Sequence, residues 1–306
     1  MLQSATTRSL LETYSYFAIR GPEAYTGSMQ GVVQSLHRHP IKSLLGEEVR
    51  EAELGERGLA GDRAFAFVDA LTGKIASAKQ PRHWSALLTL CARYRDQADL
   101  TDPREVEVML PDGRSLHAGD PGLAEAVAQL VGRAVQLVSA PPPGATIERL
   151  TPEGEVDAGK VVEIPVAGGA PAGTLFDFAP LHFVSTASLR ALAAHHPART
   201  PSVAARFRPN VVIALDEGEG FIESQWMGRE LALGEARLQV ICATPRCAVP
   251  CLAHGPHVPR DPQLVRTLGQ HNRVPIPGFG EPACLGAYAR VITPGRVRLG
   301  DAVRLA

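Results

Sequence analysis

Three of the five cysteines fall within ten residues, in Cys242-Ala-Thr-Pro-Arg-Cys247-Ala-Val-Pro-Cys251, with His254 and His257 close behind. Thiolates act as nucleophiles and as ligands for soft metals, so this is where chemistry is first sought. Zinc held by sulfur and nitrogen is one reading, but the spacing matches no familiar zinc pattern, and three prolines restrain how ligands converge. Cys247 stands apart because Pro245-Arg246 precedes it directly after an apolar strand. A rigid turn with a fixed cation beside the sulfur favours the thiolate needed for a nucleophile or a metal ligand. Cys242 after Val240, together with Cys91 and Cys284, reads as an ordinary small buried residue.

The elements that must position Cys247 are short. Gly31–His39, Val49–Leu54 and Arg63–Val68 alternate like strands. Glu105–Leu110 and Arg114–His117 flank Pro111-Asp112-Gly113 and read as a peripheral hairpin. Pro121, then Leu123, Ala126, Val127 and Leu130 at helical spacing, with Gly132 just beyond, predict a helix. Pro141-Pro142-Pro143-Gly144 interrupts the chain, and 146–180, rich in Gly, Ala and Pro, is expected to be irregular. Leu181–Val184 runs as a strand into a helix capped by Ser185 or Thr186. Asn210–Leu215, Glu230–Leu233, Arg237–Ile241, Ala287–Ile292, Arg296–Leu299 and Ala302–Leu305 are further strands, with one helix around 262–268. Short strands at this spacing predict a predominantly β, α+β chain built on a barrel or sandwich with a few peripheral helices.

At 306 residues the chain holds about two domains of roughly 150 residues. The expected division is 1–28 as a disordered extension, 29–145 as a first β module and 146–306 as a second. The formal charge of −1 and pI near 6.8 argue against nucleic acid or anionic lipid as a partner, so any anion must be caught locally. No run approaches the roughly 18 apolar residues of a membrane span. Residues 1–28 lack the apolar stretch of a secretory signal, and an odd cysteine set without such a signal predicts reduced thiols and a cytoplasmic protein. Gly278-Phe-Gly280-Glu-Pro-Ala283 has dinucleotide-fingerprint spacing, but no strand precedes it and Pro282 sits where the helix should start. Phosphate-loop, His-Glu-x-x-His and Gly-x-Ser-x-Gly signatures are absent.

His39-Pro40-Ile41-Lys42-Ser43-Leu44-Leu45-Gly46 resembles the Tyr-Pro-Val-Lys-Ser-x-x-Gly segment that opens the N-terminal β-barrel module of MOSC proteins, the molybdenum cofactor sulfurase C-terminal family. Further similar stretches follow in order: Gly58-Leu-x-Gly61-Asp62-Arg63, Ser77-Ala78-Lys79-Gln80, Arg206-Phe207-Arg208-Pro209-Asn210-Val211, Glu230-Leu-x-Leu233-Gly234, Pro245-Arg246-Cys247, Gly286-Ala-Tyr288-Ala289, Pro294-Gly295 and Gly300-Asp301. The resemblance spans residues 30–306 and is nearest to the amidoxime-reducing component and its bacterial relatives.

The resemblance implies a MOSC-type β-barrel with an N-terminal β-barrel module and a molybdenum cofactor, Mo-molybdopterin, with Cys247 as the protein's ligand to the metal and catalytic residue. Lys42, Ser43, Arg63, Arg206, Arg208, Asn210 and Arg246 are the matched residues expected to anchor the pterin and its phosphate or wall the site, Arg as a fork and Lys as a point charge. Thr186 and Ser188, at a helix N-terminus, are expected to add anion donors, with plain capping as the other reading. Asp62 is expected to orient Arg63, and Trp84 and Trp226 to pack.

The implied activity is reduction of N-hydroxylated or N-oxide small molecules by oxygen transfer to molybdenum. A separate electron-donor protein of ferredoxin, flavoprotein or cytochrome type is expected, since no cysteine-rich iron–sulfur segment follows. Two alternatives stay open: a sulfurtransferase carrying a Cys247 persulfide, and a non-catalytic cofactor carrier. The sequence departs from its relatives at His39, where an aromatic is usual, and at Pro250-Cys251, where close relatives often carry Thr-Thr.

Overall fold

A computed structural model describes residues 29–150, 159–196 and 204–306. The expected disordered extension, 1–28, lies outside them.

Seven strands close into a barrel. Met29–Arg38 pairs antiparallel with Val211–Leu215 on one side and Ala302–Leu305 on the other. The circuit continues through Leu181–Ser185, Cys284–Thr293, Ala236–Pro245 and Glu230–Leu233. Closure leaves none of the seven without a neighbour on either side, which removes the exposed edges of an open sheet. The one parallel pair, Leu181–Ser185 with Val211–Leu215, has between its strands the crossover that parallel strands require, with the helix Thr186–His195 on it. Met29, Val33 and Leu36 point inward along the first strand and meet Phe183, Trp226, Val240, Ala287 and Leu305 in the barrel core. The sheet pairing therefore crosses the division expected at 145/146, because the strand that completes the barrel comes from the start of the chain.

A second core packs Ile41, Phe65, Phe67, Trp84, Leu87, Tyr94, Val106, Val108, Leu123 and Val127 beneath two short sheets, Ala66–Asp69 with Val135–Val138 and Cys91–Tyr94 with Val106–Met109 and Ser115–His117. Single bridges, Ile41 to Phe65 and Leu45 to Cys91, stitch them to the loop carrying Lys42 and Ser43. The helix Pro121–Val131 starts on its proline and ends at Gly132, whose left-handed φ of 70° lets its N–H reach the Ala128 carbonyl.

Two expectations change. The 106–117 hairpin is not peripheral, since Val106 and Val108 are fully buried in this core. The 146–180 stretch contains a hairpin, Thr146–Leu150 with Val161–Pro165. Its alternation is masked by charged Glu148 and Arg149, and only burial of Ile147 against Ile75 reveals it. Among the described residues, no helix is long and apolar enough to cross a membrane.

Candidate functional site

A cleft of about 110 Å³ opens between the two cores. The N-terminal half supplies Lys42, Ser43, Arg63 and Ser77–Lys79; the connecting segment supplies Phe176–Ala179; the barrel supplies His182, Arg206–Arg208, Asn210, Pro245–Cys247 and Tyr288. Its wall carries six basic side chains, Lys42, Arg63, Lys79, Arg206, Arg208 and Arg246, against one carboxylate, Asp177. A near-neutral chain has thus gathered cations at one place, the arrangement an anion needs.

Three wall residues that are not glycine hold left-handed backbone: Ser43 (φ 67°), Arg63 (φ 47°) and Arg208 (φ 53°). Such conformations persist only where the surroundings enforce them, and they cluster at functional sites. The Ser43 hydroxyl accepts from the Ala78 N–H at 3.0 Å, joining two wall segments. Asp62 accepts from the His39 N–H at 2.7 Å and from Arg63 Nη1. Burial opposes its ionisation, yet Arg63 and His39 hold it well below the carboxylate range. Arg63 is thereby aimed by a buried anion. His39 is not on the wall; it backs Asp62.

The cations divide by what they touch. Arg246 Nε donates to the Leu285 carbonyl at 3.0 Å, Nη1 to Phe207 at 3.2 Å, and Nη2 lies 2.5 Å from His182 Nε2. Arg206 donates to the carbonyls of Pro250 (3.3 Å), Leu252 (3.4 Å) and Pro259 (2.7 Å). These two guanidinium groups brace the loop around Cys247. Lys42 Nζ donates to the Leu175 carbonyl at 2.8 Å and to Asp177, whose other oxygen accepts from Lys79 at 2.9 Å. Arg208 differs: its Nη1 is buried and has no hydrogen-bond partner among the described residues. Burial, then the charge of Arg63, lowers its pKa to about 9. Asn210 is committed to backbone, its side chain accepting from the His182 N–H at 3.1 Å and donating to the His37 carbonyl at 3.3 Å.

Cys247 lies two residues beyond the strand Ala236–Pro245, with the intervening Arg246 tied through its N–H to the Ala283 carbonyl at 2.8 Å. It is 8% exposed and is the one cysteine in the cleft wall. Cys251 is fully buried among Val184, Phe207 and Leu268, and burial pushes its thiol to about 11. Cys242 and Cys284 are buried as expected, whereas Cys91 is only half-buried. Among the described residues, no group of three His, Cys, Asp or Glu is placed to hold a metal ion.

Thr186 and Ser188 do not line the cleft. Ser185 is the cap, its hydroxyl accepting from the Ser188 N–H at 3.1 Å, and the Ser188 hydroxyl is sealed against buried Glu223. Plain capping is the reading the geometry supports, because the helix start points into packed protein. Trp226 stacks on Phe183 inside the barrel and Trp84 is buried in the second core.

Four titratable wall residues were not singled out from the sequence: Lys79, Asp177, His182 and Tyr288. Lys79 and Tyr288 sit inside family-like stretches, so a signal existed. Asp177 and His182 carry none, since only folding brings them to Lys42 and Arg246. Burial and then Arg246 push the His182 imidazole well below its usual pKa, so it is a neutral acceptor.

Residues 30–119 match the MOSC N-terminal beta barrel domain and residues 171–304 match the MOSC domain. The chain belongs to the MOSC family. No curated protein matches this MOSC chain. Among solved structures, the YUAD protein from Bacillus subtilis is 13% identical, with 91% of this chain and 97% of that chain covered at a TM-score of 0.44. YiiM from Geobacillus stearothermophilus is 17% identical, covering 53% and 73% at 0.31. YiiM from Escherichia coli is 20% identical, covering 42% and 54% at 0.28. MOSC domains are associated with molybdenum cofactor binding in general.

The residues present suit a phosphate-bearing pterin with a soft metal. Arg208 Nη1 is a buried donor without an acceptor, the wall is strongly cationic, and a cysteine sulfur stands in the same cleft. Of these, the buried Arg208 donor is the one left at a cost without an anionic ligand.

Proposed function

We propose that this MOSC protein is a molybdenum-cofactor-dependent oxidoreductase that reduces N-hydroxylated or N-oxide small molecules. The observation that carries the reading is Cys247 in a cleft whose cations include one, Arg208, with a buried donor left without a partner. Cys247 would hold the metal through its sulfur, while Lys42, Arg63 and Arg208 would hold the pterin phosphate. When bound, the cofactor supplies two-electron oxygen-transfer chemistry. In the overall change an N-hydroxylated amine takes up two electrons and two protons, its N–O bond breaks, and the parent amine and one water are formed.

The protein's own part is positional. Arg206 and Arg246 fix the Cys247 loop through backbone carbonyls, Asp62 aims Arg63, and Phe176, Phe178 and Tyr288 add apolar surface to the cleft wall. Electrons come from a separate donor protein of ferredoxin, flavoprotein or cytochrome type.

Expression in a host that makes the cofactor, followed by metal analysis and pterin extraction, tests this. One molybdenum and one pterin per chain are expected, with reduction of an aryl amidoxime by a chemical reductant abolished in Cys247→Ala. Absence of molybdenum, or a Cys247→Ala protein that retains full reduction, overturns it. A sulfur adduct on Cys247 without metal points instead to a persulfide carrier, and bound pterin without turnover to a cofactor carrier.

A further inference from the structure

We propose that Asp177 is the resident counter-ion of an anion subsite formed by Lys42 and Lys79, and that a phosphate-bearing ligand displaces it, moving the 175–179 segment away from the two lysines. This rests on the reading of the cleft as the holder of a phosphorylated pterin.

Asp177 is the sole carboxylate in a wall of six cations, and its two oxygens are divided between the two ammonium groups. The lysine side chains are 5% and 15% exposed and the Asp177 side chain 28%, so the carboxylate lies on the solvent side and covers them. It thus stands across the route by which an anion in the cleft would reach Lys42 and Lys79. A phosphate dianion and the carboxylate cannot share that pair, because like charges a few ångströms apart in a partly desolvated site repel strongly. The phosphate carries the larger charge and more acceptor oxygens, and the unpartnered Arg208 Nη1 nearby adds to its side of the exchange.

To move, the segment must release two backbone bonds, from the Ala167 N–H to the Phe176 carbonyl and from the Gly169 N–H to the Phe178 carbonyl, each 2.8 Å. It has no helix or strand between the hairpin strand Val161–Pro165 and the barrel strand Leu181–Ser185. The Lys42 Nζ bond to the Leu175 carbonyl ties it to the same ammonium. Loss of Asp177 and loss of the Leu175 contact would then come together, and with them Phe176 and Phe178 would shift on the cleft wall. Asp177 in this reading keeps two buried lysines compensated until a ligand arrives.

Hydrogen exchange of the full-length, cofactor-free chain with inorganic phosphate as the probe tests this. At saturating phosphate, amides in 174–180 are expected to exchange at least threefold faster while those of 42–45 slow. Asp177→Asn is expected to exchange fast in 174–180 already and to show no further rise. Unchanged or slower exchange in 174–180 of the wild-type chain overturns the displacement, as does failure of phosphate to bind. If Asp177→Asn does not fold, the wild-type comparison decides alone. Molybdenum and pterin content report separately on the proposed function, so a chain that loads the cofactor but keeps 174–180 protected fails here only.

Discussion

Arg246 Nη2 lies 2.5 Å from His182 Nε2, which places a neutral imidazole beneath the guanidinium that precedes Cys247 in the chain. Gly286 makes the approach feasible: its φ is 73°, and a Cβ there would stand 2.8 Å from His182 Nε2 and 2.4 Å from the Phe183 carbonyl. His182→Leu removes one of the two acceptors of Arg246 Nη2, leaving the Leu285 carbonyl, at a cost of about 1–2 kcal/mol in unfolding free energy. Chemical denaturation should show this loss, with His182→Gln, which keeps an acceptor, recovering part of it.

Arg206 and Arg208, two residues apart, are expected to fail differently when replaced. Arg206→Met removes donors to three carbonyls and should destabilise the chain by about 2–3 kcal/mol. Arg208→Met removes a buried donor without a partner, so cofactor-free stability should hold or rise, by up to about 3 kcal/mol. Phosphate binding by calorimetry should weaken for Arg208→Met. Thermal melts and calorimetry on both variants separate brace from anchor.

Acid should unfold the protein in two stages. Burial, followed by the charges of Arg208 and Arg63, lowers the His39 pKa, and burial and Arg246 lower that of His182. A histidine whose folded pKa lies below its unfolded value of about 6.5 favours folding above that value and loses its contribution as pH falls. Asp62 is likewise depressed, so its contribution is complete above about pH 4 and is lost below it. Urea midpoints should fall below about pH 6.5 and again below about pH 4. Asp62→Asn should lessen the second fall, with the remainder carried by Asp177, whose carboxyl Lys42 and Lys79 also hold well below the usual range.

Alkylation of the cofactor-free chain with iodoacetamide near neutral pH should label Cys247 before Cys242, Cys251 and Cys284, with half-buried Cys91 on the opposite core labelled independently. Burial pushes Cys242 and Cys284 to about 12 and Cys251 to about 11, leaving almost no thiolate on them. Peptide mass spectrometry should find the Cys247 adduct ahead of those on Cys242, Cys251 and Cys284; an adduct on Cys251 before Cys247 contradicts this assignment of the cleft. Cys251→Ala should leave the Cys247 labelling rate within about twofold while costing stability through a small core cavity.

Cys247, Lys42, Ser43, Asp62-Arg63 and Arg208 were legible in the sequence because each sits in a short stretch whose residue order is itself distinctive. The helix Pro121–Val131 was legible because a proline start, helical spacing and a glycine stop are local signals. What the fold alone decided is where side chains point and what meets across hundreds of residues. Arg246 and Arg206 look like free anion donors in a linear reading, yet their guanidinium groups are spent on backbone carbonyls. Ser188 looks like a donor at a helix start, yet that start is packed against Glu223. Asp177 reaches Lys42 across a separation of 135 residues, and the strand that completes the barrel comes from the opposite end of the chain to its partner Ala302–Leu305. Residue order sets propensity and period over a few positions, whereas these pairings depend on long-range closure and burial, which no short window of sequence contains.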